Sequence, residues 1–172
     1  MKKPLEMAHD FLAQVITKDD VVVDATMGNG HDTLFLAKLA KQVYAFDIQE
    51  QALEKTSQRL QETGLTNVEL LLQSHETVDQ FVTEVKAAIF NLGYLPSADK
   101  SIITKPHTTI EALDKLCQLL VKGGRIAIMI YYGHEGGDIE RDAVMDFVSQ
   151  LPQQEYTATI YRTLNQINNP PF

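Results

Sequence analysis

Val21-Val22-Val23-Asp24-Ala25-Thr26-Met27-Gly28-Asn29-Gly30-His31-Asp32-Thr33 is the stretch whose reading decides the fold. Three β-branched residues run into an acid. Two glycines two positions apart then let the backbone turn sharply, and Leu34, Phe35 and Leu39 follow at helical spacing. Strand, tight turn and helix make the first half of a βαβ unit. The same alternation repeats outward from it. Short apolar or β-branched runs recur at residues 43–46, 68–72, 87–90 and 125–131, each of a length suited to a buried strand. Between them lie helical patterns. Leu5, Ala8, Phe11, Leu12 and Val15 share one face of an opening helix. Residues 52–60 follow the second strand and are closed by Gly64, residues 109–121 are ended by Gly123-Gly124, and residues 138–149 stop before Pro152. The pattern predicts an α/β fold, doubly wound, with a mostly parallel sheet in a single domain over residues 1–172.

The 172 residues are 44% apolar and 22% charged, enough to bury a core and to exclude disorder of the whole chain. Fifteen Lys and Arg against 23 Asp and Glu give a net charge of −8, which disfavours binding through a broad basic surface. A single cysteine, Cys117, excludes an internal disulfide and a cysteine-only zinc site, and no metal site is expected. There is no apolar run of membrane-spanning length and no basic-then-apolar leader, so the expectation is a cytoplasmic chain without a membrane partner.

In a doubly wound sheet, ligands sit beyond the C-terminal strand ends, so the loops there carry the chemistry. In the first, Gly28 and Gly30 let a ligand approach the backbone, although a plain strand-to-helix turn has the same composition. Thr33 stands where a dinucleotide fingerprint wants a third small residue, and Asp24 suits a cationic ligand better than a pyrophosphate. In the second, Asp47 is placed either to bind a ribose diol or to cap the next helix. In the third, Ser74 and His75 offer hydrogen bonds to an adenine or simply cap a helix. The fourth, Asn91-Leu92-Gly93-Tyr94-Leu95-Pro96, reads as a turn or as a two-acceptor seat for an amine beside a stacking ring. The fifth, Tyr131-Tyr132-Gly133-His134-Glu135-Gly136-Gly137-Asp138, holds a histidine that is either solvated or a base. Lys100, Lys105 and His107 form a weak local cationic patch.

Together these loops resemble the class I S-adenosylmethionine-dependent methyltransferases, with Thr26 in place of the first glycine of their opening motif. More closely, the chain resembles a small bacterial family labelled rRNA methylase and associated with methylating 5-aminomethyl-2-thiouridine at the tRNA wobble position. The resemblance rests on Asp24 to Thr33, Asn91 to Pro96, Tyr131-Tyr132-Gly133-His134 and Leu164-Asn165-Gln166. It implies S-adenosylmethionine as cofactor, held by Asp24, Gly28, Asn29, Gly30, Asp47, Gln49, Ser74 and His75. It further implies the tRNA anticodon loop as substrate, and a homodimer. The reading of the amine seat gives Asn91, Tyr94 and His134 the catalytic roles, with Leu92 and Tyr132 binding substrate and Asp32 as an alternative proton acceptor. The seven-stranded pattern of the class predicts a sixth strand over residues 155–162. Only Asn168-Asn169-Pro170-Pro171-Phe172 remain for the seventh, which is expected to be missing. An rRNA or small-molecule methyltransferase stands as the alternative, and a nicotinamide-dependent oxidoreductase or a non-catalytic cofactor-binding module as further ones.

Overall fold

The structure, a computed structural model, describes residues 2–93, 105–133, 136–165 and 170–172. Its five strands are β1 (Val21–Asp24), β2 (Gln42–Asp47), β3 (Val68–Leu72), β4 (Val85–Leu92) and β5 (Leu120–Ile130). All pair in parallel, in the order β3-β2-β1-β4-β5. The chain steps outward from β1 to β2 and β3, then returns to lay β4 on the other side of β1. This reversal opens a crevice at the C-terminal ends of β1 and β4, where a doubly wound sheet receives its ligand.

The strands alternate sides with a period of two, and each side has its own core. Val22, Val43, Ala87 and Ile89 face Leu12 and Leu36, which belong to α1 (Pro4–Ala13) and α2 (His31–Leu39). Val23, Phe46, Ala88 and Phe90 face Leu113, Leu116 and Val144 from α4 (Pro106–Leu119) and α5 (Gly137–Ser149), together with Val78 from a 3₁₀ segment (His75–Gln80). Phe46 and Phe90 are fully buried, each contributing about 1.5–3 kcal/mol by removal of apolar surface from water.

Local chemistry sets the helix ends. Pro4 stands in the first turn of α1, and the Lys3 N–H donates to the Glu6 carboxylate. The helix α3 (Glu50–Thr63) closes on Gly64 at φ 69°, as the sequence predicts, with the Leu65 N–H returning to the Leu60 carbonyl.

Two expectations change. The glycine pair at 123–124 does not end α4. The helix stops at Leu119 and the pair lies inside β5, in an irregularity where the ladder jumps from Val85↔Leu120 to Ala87↔Arg125. A Cβ on Gly124 would lie 2.8 Å from the carbonyl oxygens of Lys86 and Val121, so the backbone passes too close for any side chain. Residues 155–162 form no strand either. In the expected order, that strand pairs with one lying between it and β5. Among the described residues, β5 is an outer strand of the sheet, and the Phe172 carbonyl accepts the Ile130 N–H at 2.8 Å. Tyr156 instead anchors its segment by donating to the Cys117 carbonyl at 3.0 Å. Among the described residues, no helix is long and apolar enough to cross a membrane.

Replacing Gly124 with Ala is expected to destabilise the fold by about 1–3 kcal/mol, since backbone oxygens cannot move aside for the methyl. Gly64→Ala meets open space and is expected to cost about 1 kcal/mol, for its left-handed backbone alone. Urea unfolding midpoints of the two variants will order them.

Candidate active site

A cavity of about 610 Å³ occupies the predicted crevice, within the size range of small-ligand sites. Its wall is built from all five strand-end loops. The glycine turn contributes Thr26, Gly28 and Asn29, the tip of β2 Asp47 and Gln49, and the loop after β3 Ser74 and His75. Asn91 and Leu92 come from β4 and Tyr131 from beyond β5. Lys105, His107 and Thr108 line it from the start of α4.

The turn is pinned on several sides. The Ala25 and Met27 N–H groups donate to the carbonyls of Ile89 and Phe46, tying the turn to both neighbouring strands. The Thr26 hydroxyl accepts the Asn91 N–H at 2.6 Å, so the residue replacing a glycine of the class motif joins the turn to β4. Gly28 and Gly30 take φ of 52° and 80°. A Cβ on Gly30 would stand 2.6 Å from the Thr56 hydroxyl of α3, so glycine also allows that helix to pack close.

Three carboxylates surround the turn. Asp47 accepts the Gly28 N–H at 2.9 Å and the Gln49 N–H at 3.0 Å, which fixes the distance between the two strand tips. It caps no helix through its side chain: Gln49 is the cap residue of α3. Asp32 accepts from the Asn91 side-chain nitrogen at 3.1 Å and contacts His9 Nε2 at 2.6 Å. Asp24 is fully buried, accepting the Thr33 hydroxyl at 2.6 Å and the Thr26 N–H at 3.1 Å. Burial pushes its carboxyl up from 3.8 to about 7, and the nearby charge of Asp32 adds to the rise.

Asp24 therefore holds the turn from beneath and, like Gly30, does not line the cavity. Both oxygens of Asp24 are bound to donors of the turn and of α2, whereas Asp47, with two backbone donors of its own, stands in the cavity wall. Tyr132 is displaced as well. Its ring packs 5.4 Å from Phe172 and lies under Arg141 and Arg162, while Tyr131 faces the cavity one residue earlier. Tyr94 and His134 lie outside the described residues, as does Lys100. Gly28, Asn29, Asp47, Gln49, Ser74, His75, Asn91 and Leu92 all line the cavity. The Ser74 hydroxyl donates to the Glu76 carboxylate and caps no helix. His9 is the residue that sequence reasoning missed, because its contact with Asp32 spans 23 positions and leaves no local motif.

His75 is 7% exposed, and its Nδ1 donates to the Ala25 carbonyl at 2.9 Å. Burial lowers its pKa and keeps the ring neutral, so Nε2 is a bare acceptor. That atom and Asn29 Oδ1 are buried with no hydrogen-bond partner among the described residues, although nearly all buried polar atoms have one.

The family described as "Putative rRNA methylase" matches residues 43–172. The chain belongs to this family of S-adenosylmethionine-dependent methyltransferases. It is 55% identical to "a putative methyltransferase" from Streptococcus mutans crystallised "in complex with SAH", with a TM-score of 0.95 over 100% of this chain and 96% of that one. A "putative rRNA-methylase" from Clostridium thermocellum superposes with a TM-score of 0.96 at 42% identity, covering 99% of this chain and 95% of that one. The Arabidopsis thaliana protein named tRNA (mnm(5)s(2)U34)-methyltransferase, chloroplastic, is 41% identical over 96% of this chain, which spans 66% of that relative's length. S-adenosylmethionine is thus the cofactor, in place of the nicotinamide alternative. The residues present fit it: two unpaired acceptors await N–H or O–H donors, and the carboxylates suit a cation.

A carboxyl raised on folding keeps its proton in the folded state where the unfolded chain has lost it. The contribution of Asp24 to stability is therefore full below about pH 4 and lost as pH rises towards about 7. Asp24→Asn is expected to flatten the decline in melting temperature across that window, as read by differential scanning fluorimetry. The ionised form also favours a cation. S-adenosylmethionine affinity is expected to rise through about pH 7 more steeply than that of S-adenosylhomocysteine, which lacks the sulfonium charge, in paired calorimetric titrations.

Proposed function

We propose that the chain methylates the nitrogen of the aminomethyl group of 5-aminomethyl-2-thiouridine at the tRNA wobble position, taking the anticodon loop as substrate. The name of the Arabidopsis relative supports the substrate class. The observation that carries the reading is the Asn91 amide. A carboxylate only accepts hydrogen bonds, so the bond to Asp32 commits Asn91 Nδ2 and leaves Oδ1 as the acceptor for a ligand. An acceptor at the cavity wall, with Leu92 as its neighbour there, suits an amine N–H and leaves the nitrogen lone pair free to point elsewhere; in this reading the Leu92 carbonyl is the second acceptor.

When bound, S-adenosylmethionine supplies a methyl group already activated on a sulfonium. What remains for the protein is placement, and a fixed near-attack geometry is worth roughly 7–11 kcal/mol of barrier. In this reading Asn29 and His75 accept hydrogen bonds from the adenosyl group, and Asp47 uses its remaining lone pairs for the ribose diol. Gly28 brings the backbone close, while Gln49 and Ser74 border the same wall. Asp24 acts from behind the turn through its charge. Tyr131 takes the place beside the uracil that the sequence reading gave Tyr132. Tyr94 as a second stacking ring, and His134 or Asp32 as the proton acceptor, keep the roles that the reading of the amine seat gave them.

Nucleoside analysis of tRNA from cells with and without the gene tests the substrate. Accumulation of the unmethylated aminomethyl form is expected on deletion, and an unchanged profile rejects the reading. Asn91→Ala keeps the backbone bond to Thr26 and is expected to lower kcat by about 10²-fold with little effect on cofactor affinity, since it removes an interaction with the reacting group.

A further inference from the structure

Behind the amine seat lies a chain of contacts that leads out of the cavity. Asn91 Nδ2 meets Asp32 Oδ2, and the other oxygen of that carboxylate, Oδ1, meets His9 Nε2 at 2.6 Å. The Asp32 side chain is 6% exposed and that of His9 24%, so the path runs from the buried carboxylate to water. The ring of His9 is held in plane by Phe35, with centroids 3.9 Å apart and planes 4° from parallel. Phe35 stands one helical turn after Asp32 on α2, so a single helix supplies both the carboxylate and the plate that orients the imidazole. Nothing in packing alone requires a short hydrogen bond between a histidine and a carboxylate at this point.

We propose that His9 is a positioning and proton-relay residue of the methyl transfer, acting through Asp32 on the amine held at Asn91. The inference rests on the amine reading of the preceding subsection. An aliphatic amine arrives largely as ammonium, which has no lone pair with which to attack. The step is a proton transfer: the N–H bond of the ammonium breaks, its electron pair stays on nitrogen, and the proton bonds to the Asp32 carboxylate. Exchange with water carries the resting Nε2 proton of His9 to Nδ1, Asp32 passes its proton to the bared Nε2, and the imidazolium releases its Nδ1 proton to water, which restores the Nε2–H imidazole and the ionised carboxylate. The net change is one ammonium converted to amine and one proton delivered to solvent. At the same time the His9 bond fixes the rotamer of Asp32, and hence the direction of the Asn91 amide.

Among the described residues, these titratable and charged groups face the pair or share its elements. Asp24 approaches Asp32 from β1, and Tyr131, raised by burial and by the charge of Asp32, approaches from beyond β5. On α1 itself, Glu6 binds the Lys3 N–H and Asp10 pairs with Lys2. Arg125 of β5 is engaged by the Phe11 carbonyl and Gln14.

The test compares the wild-type chain, His9→Gln and Phe35→Leu. The acceptor is RNA from cells lacking the gene, the donor carries a labelled methyl, and labelled nucleosides are identified afterwards. His9→Gln keeps a side chain able to bond Asp32 but not to carry a proton. It is expected to lower kcat by about 10²-fold near neutral pH, the ordinary size of an acid–base contribution, and the loss is expected to shrink at alkaline pH, where the amine arrives unprotonated. Phe35→Leu, which removes the ring stacked on His9 and alters neither Asp32 nor Asn91, is expected to show a smaller loss with the same pH trend. Without substrate, the wild-type protein is expected to show a slowly exchanging, downfield imidazole Nε2–H resonance that disappears in Asp32→Ala. Label on the wobble amine with an unaltered rate in His9→Gln, or with a loss equal at every pH, overturns the relay and leaves the substrate reading standing. Label on a carbon or oxygen overturns both, since no ammonium then needs its proton removed.

Discussion

Three like charges converge on one backbone turn, and the rest of the site is arranged around that constraint. The parallel order brings the tips of β1 and β2 together with the first turn of α2, and each supplies an aspartate. Burial first, and the charges of Asp32 and Asp47 after it, oppose ionisation of Asp24, the deepest of the three, and raise its carboxyl to about 7. Each carboxylate has its own donors: Thr33 and Thr26 for Asp24, two backbone N–H groups for Asp47, and His9 with Asn91 for Asp32. Of these donors only the imidazole can carry a positive charge. The turn thus remains electron-rich, and a cation brought into the cavity relieves the repulsion among these carboxylates.

The same donors set the geometry. Thr26 occupies a position where the class motif has glycine, and its hydroxyl is what ties the turn to the Asn91 backbone. Asp47 binds the turn to the second strand, and the small Gly30 lets Thr56 bring α3 against it. Cofactor wall and amine seat therefore belong to one rigid hydrogen-bonded unit rather than to separate loops, which matters for a reaction whose main requirement is alignment.

How much of this was legible in the sequence follows from the range of each interaction. The strands, the turn and Gly64 were readable because period-two and period-3.6 patterns and a left-handed cap are local properties. The cavity wall was readable from topology, since loops after parallel strands must meet. Tyr131 and Tyr132 were not distinguishable, because they stand beyond the last ladder residue, where alternation no longer fixes which ring faces in. Asp24 looked like a ligand-facing acid, and only the positions of the Thr33 and Thr26 donors show its two oxygens already engaged. The glycine pair at 123–124 carried a helix-stop signal, but the close backbone contact that demands glycine comes from β4 and from Val121. Residues 155–162 have strand composition without a ladder partner beside them, and composition alone makes no hydrogen bonds. His9 was invisible for the simplest reason: α1 meets α2 only in three dimensions.

The acidity of the chain and the proposed RNA substrate are reconciled by where the charge lies. The carboxylates sit at the floor, among the strand tips, whereas Lys105 and His107 line the same cavity from the start of α4. Arg59 adds a further cation beside His31, 3.3 Å from its Nε2. Asp32 and Asp47 favour a cationic cofactor, and Lys105 offers a charge to the phosphates of the proposed substrate. Groups of both signs in one cavity suit a small domain that holds a sulfonium and is proposed to admit a polyanion. With so few cations, counterion release contributes little, and recognition must rest on stacking and edge hydrogen bonds to a splayed base. This is consistent with an enzyme that reads one nucleotide in a loop rather than the length of a duplex.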